Sequence, residues 1–228
     1  MREGFNQELA AIERRLLRDL ELASRTLESL SNVVSDPSEP TPRYIEADAE
    51  RLRDSGRITH ERLVVAAARE APVATDLRRV LAYFQINQHI NLISNQFELL
   101  TEQLMEMDPE EAAEPRILQR LARMARRAAA QVTNASDALE TRDVPAAQQV
   151  ARDDDELDLL NREVFAIALR VPGPIGRREL ALHQTLMARS FERVGDNAVD
   201  IAEQAAFIVS GHFLEFSDAS RPKPVESH

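Results

Sequence analysis

From Phe5 to Leu30 the apolar residues step by threes and fours, through Leu9, Ile12, Leu16, Leu20, Ala23 and Leu27. That spacing returns a side chain to the same face on every turn, so it predicts a long amphipathic α-helix with one buried stripe. Pro37, Pro40 and Pro42 then end it, because each lacks an N–H and clashes with the preceding turn. A second helix is expected from about Arg43 to Arg69, broken at Ala71-Pro72. A third follows to about Met107, with Ile86, Ile90, Ile93, Phe97, Leu100 and Leu104 on one face, and Asp108-Pro109 and Pro115 close it.

The same layout then recurs. Ile117, Leu121, Met124, Ala128, Val132, Ala135 and Leu139 reproduce the spacing of the first helix. Asp143-Val144-Pro145 opens a fifth helix running to about Arg170, Val171-Pro172-Gly173-Pro174 breaks it, and a sixth runs from about Arg178 to Val209. Two copies of helix-helix-helix read as an internal duplication. Short connections between long helices imply antiparallel neighbours. The expected fold is therefore all-α, two tandem pseudo-symmetric three-helix bundles, at residues 1–110 and 111–214. The polar remainder, residues 215–228, reads as a disordered tail. Regular proline breaks argue against one continuous coiled coil.

Composition agrees with helices. Apolar residues make up 43% of the chain, aromatics only 4%, and there are six Gly, which leaves an aliphatic core and little material for hairpins. With no Cys, disulfides, thiolate catalysis and Cys-ligated zinc are excluded. The apolar runs are short and broken by charge, and the start, Met1-Arg2-Glu3-Gly4-Phe5, lacks the apolar stretch of a signal peptide. A cytoplasmic protein is expected, touching a membrane at most peripherally through partners. A formal charge of −11 opposes general nucleic-acid binding, which needs a basic face. Arg120, Arg123, Arg126 and Arg127 cluster on one predicted helix and read as a solvated face.

The sixth helix carries the chemistry. With Glu192 as origin and about 100° per residue, Asp196 falls near about 40°, Asp200 near about 80° and Glu203 near about 20°. Val194, Ala198, Ile201, Ala205 and Ile208 fall on the other side. Four carboxylates thus make one stripe, opposite the core-facing residues, although like charges four apart on a helix repel. Oxygen-rich stripes suit hard or borderline cations, and a solvated acidic face is the plainer alternative. The preceding helix offers Asp154 and Asp158, again four apart. Antiparallel packing of helices five and six would bring the two sets together.

Phe191-Glu192-Arg193-Val194-Gly195-Asp196, followed by Asp200-Ile201-Ala202-Glu203, resembles the signature of the PhoU family. Asp154-Asp155-Glu156-Leu157-Asp158-Leu159-Leu160 resembles that family's other acidic motif, and Pro72-Val73-Ala74-Thr75-Asp76-Leu77-Arg78 its segment at the start of the third helix. The resemblance covers roughly residues 5 to 211. It implies a cytoplasmic, non-enzymatic negative regulator of phosphate uptake and phosphate-starvation signalling. The implied partners are the phosphate transporter ATPase and the sensor histidine kinase, and a homodimer is implied too. It also implies iron, zinc, manganese or magnesium bound by Glu192, Asp196, Asp200, Glu203, Asp154 and Asp158.

The first half departs from that pattern. Asn91 and Asn95 stand where the second half has Glu192 and Asp196, Leu99 where it has Asp200, and Leu52 where it has Asp158. Glu102 and Asp48 match Glu203 and Asp154. Amides keep hydrogen bonding but lose the charge that holds a cation, so one acidic site per chain is expected. None of the five His has a Glu three residues earlier, and His60-Glu61 lacks a second His four residues on. Di-iron and zinc-protease motifs are therefore missing, and His183 is expected to face packing. A carboxylate-bridged metal enzyme and a metal-free helical scaffold are the alternatives.

Overall fold

A computed structural model describes residues 2–35, 43–70, 72, 75–106 and 113–216. Among them run six helices: α1 (Arg2–Ser35), α2 (Arg43–Glu70), α3 (Thr75–Glu106), α4 (Pro115–Thr141), α5 (Val144–Ala168) and α6 (Ile175–Ser210). The expected order holds, with α6 starting three residues earlier than its pattern suggested. Pro174 precedes its first turn with a fixed φ of −62°, and the missing proline N–H costs nothing there. Asp143 caps α5, accepting from the Ala146 N–H at 3.0 Å, and Pro145 sits in the first turn.

The predicted stripes are the core. Leu9, Ile12, Leu16, Leu20, Leu27 and Leu30 of α1 are wholly buried, as are Ile117, Met124, Ala128, Val132 and Leu139 of α4. They form one continuous apolar cluster with the stripes of the other helices. Helices α1, α2 and α3 pack on one another, as do α4, α5 and α6. The two sets meet along α1 against α4 and α3 against α6. Both of those pairs are antiparallel. Ser24 bonds the Ala129 carbonyl at 3.1 Å while Arg126 reaches Ser31 at 3.0 Å. His89 lies against Asn197 at 2.9 Å while His183 lies against Gln103 at 2.8 Å. His183 thus packs on α3, as its position suggested. The α4 arginines lie on a solvated face, as expected: Arg123, Arg126 and Arg127 are exposed, and at the surface Arg120 pairs with Glu163 while Arg123 and Arg127 share Glu156 of α5.

A buried polar knot ties the two sets together. Tyr83 of α3 is wholly buried and its hydroxyl donates to Glu13 of α1. The same hydroxyl accepts from Arg79 at 3.3 Å and from Arg142 at 3.3 Å. Arg142 also bonds Glu13 at 2.5 Å. It can do so because it ends α4 in the left-handed region, at φ 60°. That turn swings its side chain back toward α1. Burial, reinforced by the Glu13 charge, raises the Tyr83 hydroxyl above the ordinary phenol range.

Replacing Tyr83 by Phe strips one hydroxyl from three charged partners, which costs about 1–3 kcal/mol. The urea midpoint of Tyr83→Phe is expected to fall with the denaturant slope unchanged. An unmoved midpoint would show that the knot contributes nothing to stability.

Candidate functional site

The acidic stripe is not a solvated face. Glu192, Glu203, Asp154 and Asp158 are buried, at 7, 6, 3 and 8% exposure, and Asp196 and Asp200 are half-buried. The cause is packing. Helix α6 touches α3, α4 and α5, so the side opposite its core residues lies largely under α5. The structure does bring the two acidic sets together. Asp196, Asp158 and Asp154 all act electrostatically on Glu192. Asp154, Asp196, Asp200 and Glu203 line one cavity of about 30 Å³ with Ala151, Val199 and Phe216, a space for one or two occupants the size of water.

Close approach of α5 to α6 depends on Gly195. A Cβ there would lie 2.5 Å from Leu157 Cδ1, 2.6 Å from Asp154 Oδ1 and 2.7 Å from Gln131 Oε1. All three side chains are buried, so a methyl group would push α5 outward and open the site. The glycine between the two signature acids is therefore a packing requirement. Gln131 of α4 completes the arrangement, donating from Nε2 to Asp154 Oδ1 at 2.9 Å.

Partners for the other acids are uneven. Glu192 Oε1 accepts from Arg189, while its Oε2 is buried without a hydrogen-bond partner. Asp158 lies 3.9 Å from Arg162. Asp200 lies 3.4 Å from His89 Nδ1, reached from α3 across the interface between the two sets. Glu203 accepts the backbone N–H of Phe216 at 2.8 Å. Burial first, and then the Asp196 charge, push the Glu192 carboxyl from 4.5 up to about 7. Arg189 opposes this, and Asp158 and Asp154 add to it.

An orphaned carboxylate oxygen among like charges fits a cation. The geometry is open, however: among the described residues no three His, Asp or Glu side chains converge as a ready-made ligand set for one ion.

In the first half the corresponding positions are differently used. Leu52 is wholly buried in the core, and Asn95 and Leu99 are exposed. Asn91 packs against Gly56 of α2. Asp48 is held by Thr26 at 3.0 Å and by Arg51 at 3.0 Å. Sequence reasoning missed Gln131, His89 and Phe216. Gln131 left a signal, as a polar residue within the buried face of α4, whereas His89 and Phe216 depend on contacts between distant segments. Phe216 was read with the polar tail, yet it is only 8% exposed. Residues 217–228 of that tail lie outside the described residues.

The sequence and the helix layout resemble those of known proteins. The PhoU domain family matches residues 121–205. The chain is similar to the PhoU family. It is 24% identical over 215 residues to phosphate-specific transport system accessory protein PhoU homolog 1 of Mycobacterium leprae, covering 94% of this chain and 96% of that one. It is 29% identical to the PhoU homolog of Zymomonas mobilis, covering 86% of this chain and 80% of that one. Two crystal structures share the fold. PhoU from Streptococcus pneumoniae has a TM-score of 0.77 at 16% identity, covering 92% of this chain and 99% of its own. PhoU from Pseudomonas aeruginosa has a TM-score of 0.72 at 22% identity, covering 92% and 97%.

The raised Glu192 carboxyl sets a pH dependence. Between 4.5 and about 7 the folded chain holds that proton more tightly than the unfolded chain does. Its contribution to stability is thus present below the unfolded value and is lost as pH rises through about 7. With a chelator present, Glu192→Gln is expected to be more stable than wild type at pH 8 by about 2 kcal/mol, with no such gain at low pH. Asp19, raised to about 6 by burial, acts alike in both proteins and cancels. Urea midpoints across this range check it, and parallel curves would contradict the buried, repelled carboxyl.

Proposed function

We propose that this protein is a cytoplasmic negative regulator of phosphate uptake and phosphate-starvation signalling. In this reading it lies between the phosphate transporter ATPase and the sensor histidine kinase. The relatives' names, all phosphate-specific transport system accessory proteins, support an accessory regulator over a catalyst. Among the described residues no helix is long and apolar enough to cross a membrane. Long helical faces suit such a role, because a scaffold that binds one partner state better than another shifts that partner's equilibrium.

We also propose a divalent or trivalent cation, iron, zinc, manganese or magnesium, in the second repeat, residues 111–214. Glu192, Asp196, Asp154 and Asp158 would hold it, with Asp200 and Glu203 at the far end of the stripe. The observation that carries this is the buried, partnerless Glu192 Oε2 in a cluster whose charges raise its own carboxyl to about 7. A bound cation would supply the missing countercharge and draw α5 and α6 together. One observation favours the rival, a metal-free scaffold: no three of these side chains converge among the described residues.

A single complementation experiment tests both parts. Deleting the gene is expected to leave phosphate-starvation genes on when phosphate is plentiful, and the wild-type gene to restore repression. Continued repression in the deletion strain, with no paralogue to cover it, would remove the phosphate reading. Reintroducing Glu192→Gln with Asp196→Asn, checked for unchanged helical circular dichroism, is expected not to restore repression. Full restoration by that variant would favour the metal-free scaffold.

A further inference from the structure

The chain does not leave the molecule where α6 ends. Gly211 turns it at φ 78°, a left-handed conformation suited to glycine, and its N–H closes on the Phe207 carbonyl. Arg78 of α3 occupies the inside of this turn. Its guanidinium lies 2.6 Å from where a Cβ on Gly211 would sit, 3.5 Å from the Ile208 carbonyl and 6.0 Å from the Phe207 ring centroid. A cation there suits the negative end of a helix. Phe213 then packs edge-on against Phe207, at 6.3 Å between centroids. Residues His212 to Glu215 are exposed, but Phe216 is 8% exposed and belongs to the core cluster. Its ring lines the acidic cavity beside Asp154, Asp196, Asp200 and Glu203, and its N–H donates to Glu203 at 2.8 Å.

This segment is an odd occupant. A short non-helical stretch places a buried aromatic residue beside a cluster of carboxylates and uses its backbone to satisfy one of them. A carboxylate oxygen that accepts this N–H offers less of its lone-pair density to a cation, and a ring in the cavity excludes the waters that a hydrated ion brings.

We infer that residues 211–216 are a displaceable strap over the acidic cavity, in which the Phe216 N–H and ring compete with a divalent cation for Glu203. This rests on the cation reading proposed above and adds its regulation. Cation binding at the site and release of the strap are then one equilibrium, so occupancy changes the surface at the end of α6. Arg78 fixes the base of the strap at Gly211, so the movement is confined to residues beyond it.

Hydrogen exchange of the full chain, read by mass spectrometry on peptides covering residues 212–216 with and without Mn²⁺, tests this directly. Titration of Mn²⁺ into wild type, Phe216→Ala and Asp196→Asn accompanies it, Asp196 being a proposed ligand that lines this cavity. Mn²⁺ is expected to bind wild type in an Asp196-dependent manner and to speed exchange of the strap. Phe216→Ala keeps the backbone N–H but loses the buried side chain that holds the strap in place, and is expected to bind about tenfold tighter, within the worth of burying such a side chain. Asp196-dependent binding that leaves strap exchange and Phe216→Ala affinity unchanged would overturn the strap and leave the cation reading standing. Absence of Asp196-dependent binding in both wild type and Phe216→Ala would overturn both. The exchange measurement uses the wild-type chain, so it holds even if Phe216→Ala fails to fold.

Discussion

Helix α6 is enclosed on three sides, by α3, α4 and α5, and the character of the site follows from that confinement. A helix covered by one neighbour can turn a charged face to water. With three neighbours only a narrow strip stays open along its middle, through Leu182, Leu186, Arg189 and Arg193. The carboxylates of α6 are left facing α5, whose own acids, Asp154 and Asp158, face back. Like charges brought together in a poorly solvated space are costly. The chain meets that cost with Arg189, Gln131, the Phe216 N–H and a raised Glu192 carboxyl.

The two halves diverge where this cost arises. The first half keeps the same helix arrangement but places Leu52 in the core where the second half has Asp158. Of its two surviving acids, Asp48 is held locally by Thr26 and Arg51 and Glu102 is exposed. Duplication thus preserves the apolar stripes, on which folding depends, while the polar positions between them separate into a stabilised half and an electrostatically loaded half. The Glu13–Tyr83–Arg142 knot and the antiparallel α1–α4 and α3–α6 pairs join these halves. His89 even brings a first-half side chain to Asp200.

The helices were legible because each is long, periodic and closed by proline. Phe5 to Leu30 alone supplies several turns of consistent spacing, and Asp143-Val144-Pro145 marks both a cap and a first turn. The six acids were legible from spacing and from the family signature. Their burial was not. Helical angles place Glu192 and Glu203 opposite Val194 and Ile201, but angles on one helix do not show that another helix covers that side. Gln131, His89 and Phe216 meet the site from α4, α3 and the strap, at sequence distances where periodicity carries no information. Gly195 was visible only as part of a motif, and the three contacts a Cβ would make there give its physical reason.

The central claim is the cation proposed for the second half, set against a Glu192 carboxyl that burial and the Asp196 charge raise to about 7. Metal and proton then compete for Glu192, so binding must release the proton. Calorimetric titration of Mn²⁺ into tag-free protein, in buffers of different ionisation enthalpy, counts that proton. The account predicts release of about one proton per ion near pH 6, falling toward none near pH 8, and no such release in Glu192→Gln. Binding with no proton release at either pH would contradict it, because the ion would then be held away from the buried carboxyl.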